Sequence, residues 1–129
     1  MIQLNLYSYG CNIGSYEIYP DDSIIYDVRH VHINEVKTPR EVNHTGLDKT
    51  FRKSLFQNSN LSYLLETYIN DIQKLINNGA SQNTINIVVI SDTGQHRSVS
   101  IVEELYLFFN KINSKNIYVN KKHLSMNPS

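Results

Sequence analysis

Residues 85–109 read INIVVISDTGQHRSVSIVEELYLFF. Ile85, Ile87, Val88, Val89 and Ile90 form a β-branched apolar run of strand length, the pattern of a central strand covered on both faces. A short polar loop, Ser91 to Ser98, follows. Beyond it Val99, Val102, Leu105, Tyr106 and Phe109 recur at helical spacing, with Glu103 and Glu104 on the other side.

Strand, glycine-containing loop and helix in that order have chemical consequences. The first backbone N–H groups of a helix lack partners inside the helix and sit at the positive end of its dipole, so the loop attracts anions. Gly94 permits close backbone approach. Arg97 can grip a phosphate through two parallel hydrogen bonds, Ser98 can add one, and His96 changes charge near neutral pH. A phosphate or carboxylate site is expected here. The competing explanation is that Asp92, Thr93 and Ser98 only cap the helix while Arg97 is a solvated charge.

Working outward, residues 2–8 alternate apolar and polar side chains, as a strand with one wetter face does. Residues 9–14 form a loop with a glycine at each end, and Pro20-Asp21-Asp22 signals a turn. Residues 23–28 read as a second strand. Asp27 and Arg29 bracket Val28 and either pair with each other or turn Arg29 toward the anion loop. Residues 30–44 look irregular, and a stretch this long in a compact domain is often functional. Thr45 or Asp48 can cap a short helix over 48–57, Asn58 to Asn60 break it, and 61–77 carry a second helix with a broad apolar stripe. Asn116 to Lys122 is a last strand. The alternation predicts an α/β fold, a small, mostly parallel sheet of about four strands flanked by helices. A single domain over 1–124 with a tail at 125–129 is expected.

In an open α/β sheet, ligands bind beyond the carboxyl ends of the strands. Three polar blocks fall there: Ser8 to Gly14, Asp27 to Arg29 and Asp92 to Ser98. Their convergence predicts one site.

Composition narrows the alternatives. The 129 residues hold 12 basic and 12 acidic side chains, so no global field draws the chain to nucleic acid or membrane. The one cysteine, Cys11, excludes an internal disulfide and has no basic neighbour in sequence to make it a thiolate. No apolar run is long enough to span a bilayer. His30, His32 and His44, with His96 and Glu35, raise the question of zinc. No thiolate pair and no His-x-x-x-His repeat accompany them, so neither a metal nor another cofactor is expected. No G-x-x-x-x-G-K-[ST] loop occurs, so ATP is not expected either.

Four blocks carry a resemblance: Ser8-Tyr9-Gly10, Asp27-Val28-Arg29, Thr45-Gly46-Leu47-Asp48-Lys49 and Thr93-Gly94-Gln95-His96-Arg97-Ser98. In order and spacing they resemble the C-terminal domain of the RapZ family, bacterial RNase adapter proteins. The resemblance implies a phosphofructokinase-subdomain-like fold, a cytoplasmic regulatory role and a ligand of the aminosugar phosphate class. It also implies RNA as a partner, and it is compatible with a homo-oligomer. The ligand-binding residues it points to are Ser8, Gly10, Asn12, Arg29, Asp92, Thr93, Gly94, His96, Arg97 and Ser98. Asn12 stands where the family carries a lysine. For nucleic acid the candidates are Arg29, Arg40, Arg97, Lys121 and Lys122.

Asp92 takes the place at which the family's loop has a cysteine, so a thiolate mechanism is not available in this loop. Three functions therefore remain: a non-catalytic sensor or adapter binding a phosphorylated metabolite, an RNA-binding module, and a small hydrolase or phosphatase using Asp92, His96 and Arg97. The first is preferred over an enzyme.

Overall fold

The computed structural model describes residues 2–12, 19–31, 45–78, 83–92, 96–112 and 117–125. Four strands and three helices follow one another as β1 (Ile2–Gly10), β2 (Ile24–Asp27), α1 (Lys49–Leu55), α2 (Ser59–Asn77), β3 (Thr84–Ser91), α3 (Arg97–Lys111) and β4 (Ile117–His123). The strands form a single sheet in the order β2-β3-β1-β4. Every pairing is parallel, with Leu4 opposite Ile85 and Val119, and Tyr26 opposite Val89.

The expected α/β architecture is present, with an all-parallel sheet where a mostly parallel one was predicted. Both helical connections cross the sheet in the same direction, from β2 to β3 and from β3 past β1 to β4. Right-handed crossovers then put all three helices on one face. The main core lies there: Leu4, Leu6, Ile85, Ile87 and Val89 pack against Leu61, Ile72, Ile101, Val102, Leu105 and Phe109. β3 is buried along Ile85–Ser91, as its continuous apolar run requires.

β1 keeps its wetter face, and that face has its own order. Asn120 donates to Asn5 at 3.1 Å, Asn5 to Asn86 at 2.9 Å, and Asn86 to the carboxylate of Asp22 at 3.1 Å. Slipping any strand by one residue would break this row of amides, so it reinforces the register that the core side sets. The edge strand β2 is tied to α2 by Tyr26 and Tyr68, whose rings stack at 3.9 Å and 9°. Burial, then the charges of Asp71 and Tyr68, push the Tyr26 hydroxyl up to about 12.

The helix ends differ from the sequence expectation in instructive ways. Asp48 caps α1 through Phe51 N–H at 3.0 Å, while the Thr45 hydroxyl takes Leu47 N–H at 3.3 Å. Asn58 opens α2 as its N-cap, accepting from Asn60 and Leu61 N–H, and does not simply break the preceding helix. An asparagine read as a breaker in sequence is equally a cap, because the same side-chain oxygen that ends one turn can begin the next. No helix among the described residues is long and apolar enough to cross a membrane.

Candidate functional site

β1 and β3 lie side by side, yet their outgoing chains part company. From β1 the chain travels to β2, on the far side of β3; from β3 it enters α3 and travels to β4, on the far side of β1. The carboxyl ends of β1 and β3 therefore flank a topological switch point, where open α/β sheets form their crevices.

Hydrogen bonds knit this rim together. Cys11 N–H donates to Ser91 O at 2.9 Å and Asn12 N–H to Asp92 O at 2.8 Å, holding the β1 loop against the β3 loop. Val28 N–H donates to Ile90 O at 2.9 Å, which places the Asp27-Val28-Arg29 block beside them. Arg97, the first residue of α3, donates from Nη1 to Val31 O at 2.9 Å. The described residues of all three polar blocks thus meet at one end of the sheet.

Within the rim, Asp27 and Arg29 pair with each other. Arg29 reaches both carboxylate oxygens, with Nη2 to Oδ2 at 2.6 Å, and its backbone N–H donates to Oδ1 at 3.0 Å. Hydrogen bonds from Arg29 hold the Asp27 carboxyl down at about 2. The Arg29 guanidinium is raised in turn, chiefly by its hydrogen bonds with Asp27. Both partners are well exposed, and a pair of this kind contributes little to stability.

His96 occupies the N-cap position of α3 without a side-chain cap bond, and its ring lies 5.3 Å from that of Phe51. Ser98 is fully buried inside α3, and its hydroxyl meets that of Ser91 at 2.7 Å. It therefore braces α3 against β3 from below the rim. Asp92 and Asn12 are exposed. Thr93, Gly94 and Arg40, like His32 and His44, lie outside the described residues. No cluster of metal ligands occurs among the described residues.

Ser8 and Gly10 lead to residues that the sequence did not single out as a group. The fully buried Ser8 hydroxyl meets His123 Nδ1 at 2.7 Å, and His123 Nε2 lies 3.2 Å from Glu103. Lys121 closes the group, 2.8 Å from the same carboxylate and 4.6 Å above the Tyr106 ring. The order hydroxyl, imidazole, carboxylate is that of a hydrolytic triad, but a serine without solvent exposure offers no nucleophile to a substrate. The group instead joins β1, β4 and α3. The basic run Lys121-Lys122-His123 is split by strand alternation: Lys121 and His123 turn to the helix side and Lys122 away from it. Charged residues on the inward face of a strand are the one sequence signal that a buried partner awaits them.

Burial works to raise the Glu103 carboxyl, but hydrogen bonds from His123 and Lys121 prevail and hold it below its usual range. A lowered carboxyl stabilises the fold above its unfolded-state value and loses that contribution as pH falls through the folded-state value. Wild type is therefore expected to exceed Glu103→Gln in melting temperature at neutral pH. That difference should shrink on acidification below about 4.5, the ordinary glutamate value. Melting curves of both proteins between neutral and acid pH test this; a constant difference would contradict it.

Comparison with family models matches residues 2–127 to the RapZ C-terminal domain. No curated protein matches the chain.

Proposed function

The chain belongs to the RapZ C-terminal domain family, and from that premise we propose a regulatory module that binds a phosphorylated small molecule, of the aminosugar phosphate class, in the crevice between β1 and β3. The observation that carries this is the start of α3 beyond the carboxyl end of β3, with Arg97, Asn12, Arg29 and Asp92 on the same rim. Arg97 and the α3 amides supply phosphate donors. Asp92 suits the other end of such a ligand: its carboxylate accepts from sugar hydroxyls or an ammonium group and would repel the phosphate.

Of the basic residues considered for RNA, Arg29 holds Asp27 and Lys121 holds Glu103. With zero net charge besides, a small anion ranks ahead of RNA.

Calorimetric titration of wild type and Arg97→Ala with glucosamine-6-phosphate, glucose-6-phosphate, inorganic phosphate and a short structured RNA tests the proposal. Glucosamine-6-phosphate is expected to bind, and Arg97→Ala to weaken it about 100-fold, the loss of charge-assisted hydrogen bonds. Equal binding by Arg97→Ala would remove the crevice from consideration. Consumption of a sugar phosphate during titration would replace the sensor by a hydrolase acting through Asp92, His96 and Arg97.

A further inference from the structure

One face of α3 is seated on the segment that precedes α2. His96, Ser100 and Glu104 follow one another at intervals of four, so they lie along one stripe of the helix. Each meets the Thr45–Asp48 turn or α1. The His96 ring lies 5.3 Å from that of Phe51. The backbone of Ser100 lies so close to Gly46 that a β-carbon there would stand 2.5 Å from Ser100 N. The Glu104 carboxylate accepts from Arg52 Nε at 3.0 Å.

The middle contact is close but carries no side-chain bond: the Ser100 hydroxyl is buried there without a partner among the described residues. Arg52 supplies the tie. Its Nη1 donates to Gly46 O and Leu47 O at 2.9 Å each while its Nε holds Glu104, so one guanidinium joins the turn to α3. Arg52 is buried and offers nothing to a ligand directly. What it holds is the helix whose first turn stands at the rim, where Arg97 begins α3. Hydrogen bonds weaken steeply with distance and angle, and a binding constellation must be held to within about 0.5 Å.

We propose that Arg52 is a positioning residue for the anion site: through Glu104 and the turn it fixes the height of the first turn of α3, and so the placement of the phosphate donors, without touching the ligand. The proposal rests on the phosphate-binding crevice described above. Because those donors serve the phosphate and not the sugar, loss of the tie weakens a sugar phosphate and inorganic phosphate by the same factor.

Arg52→Lys and Glu104→Ala test it in the full chain, beside Ile72→Val, which thins the core late in α2, toward the amino end of β3. Each is titrated with glucosamine-6-phosphate and with inorganic phosphate under conditions where its urea curve shows it fully folded. Arg52→Lys and Glu104→Ala are expected to weaken both ligands about tenfold, and Ile72→Val neither. Glu104→Ala is the sharper of the two. Glu104 is 31% exposed, so its loss costs little stability, and removing a negative charge works toward tighter anion binding. A fall in affinity there is therefore neither unfolding nor charge. If wild type binds, Arg97→Ala does not, and either of the two variants binds like wild type, the positioning role is wrong and the crevice stands. Equal weakening by Ile72→Val would assign the effect to general loosening and also overturn it. If wild type binds neither anion, crevice and positioning role fall together.

Discussion

Replacing Gly46 by alanine is expected to lower the stability of the domain by about 3 kcal/mol and its melting temperature by about 10 °C. A β-carbon at Gly46 would lie 2.5 Å from Ser100 N, 2.6 Å from Ser100 Oγ and 2.7 Å from His96 O. Two of these are backbone atoms in the first turn of α3, linked to each other by the Ser100 N–H to His96 O bond at 2.9 Å. They cannot rotate aside as a flexible side chain could. Either the Thr45–Asp48 turn lifts off α3 or the start of α3 shifts, and the second would displace His96 and Arg97 at the rim. Thermal unfolding of Gly46→Ala beside Leu47→Ala, whose side chain is exposed, isolates the close approach. Equal midpoints for the two variants would refute it.

Arg52→Ala is expected to cost a similar amount, about 3 kcal/mol, by leaving buried acceptors without a donor. Arg52 is only 5% exposed. Its Nη1 donates to Gly46 O and Leu47 O at 2.9 Å each, and its Nε to Glu104 at 3.0 Å. One guanidinium thus clamps the turn and ties it to α3. Arg52→Lys should recover only part of the loss, because a point charge cannot reach three acceptors in a fork. Glu104→Gln should cost least, since that side chain is 31% exposed and its solvation persists. Urea unfolding gives the order of the three. A Glu104→Gln loss as large as that of Arg52→Ala would assign the stability to the ion pair and not to the carbonyl clamp.

These two predictions change how the Thr45-Gly46-Leu47-Asp48-Lys49 block is understood. In sequence it is a family motif and a helix start. In the folded chain Asp48 caps α1, Gly46 allows the turn to touch α3, and Arg52 locks that turn. The block positions the beginning of α3, and the beginning of α3 carries the candidate anion site.

What the sequence by itself determined is what local physics decides. The apolar run at Ile85–Ile90 reads as a covered strand, the spacing from Val99 to Phe109 as a helix with an apolar stripe, and their order implies a parallel sheet with polar loops at its carboxyl ends; that α3 is buried all round from Ser98 to Glu103 came only with the fold. Four motifs in order were enough to suggest the family to which the chain belongs. The tertiary structure alone decided which strands are neighbours, and hence that the switch point falls between β1 and β3. It alone joined Ser8 to His123 and Glu103, Gly10 to Ser125, and Gly46 to Ser100. Each of these contacts bridges some 50 to 115 residues. Periodicity reports which face of an element is apolar, but a hydrogen bond between distant elements depends on strand order and register, which exist only once the sheet has formed.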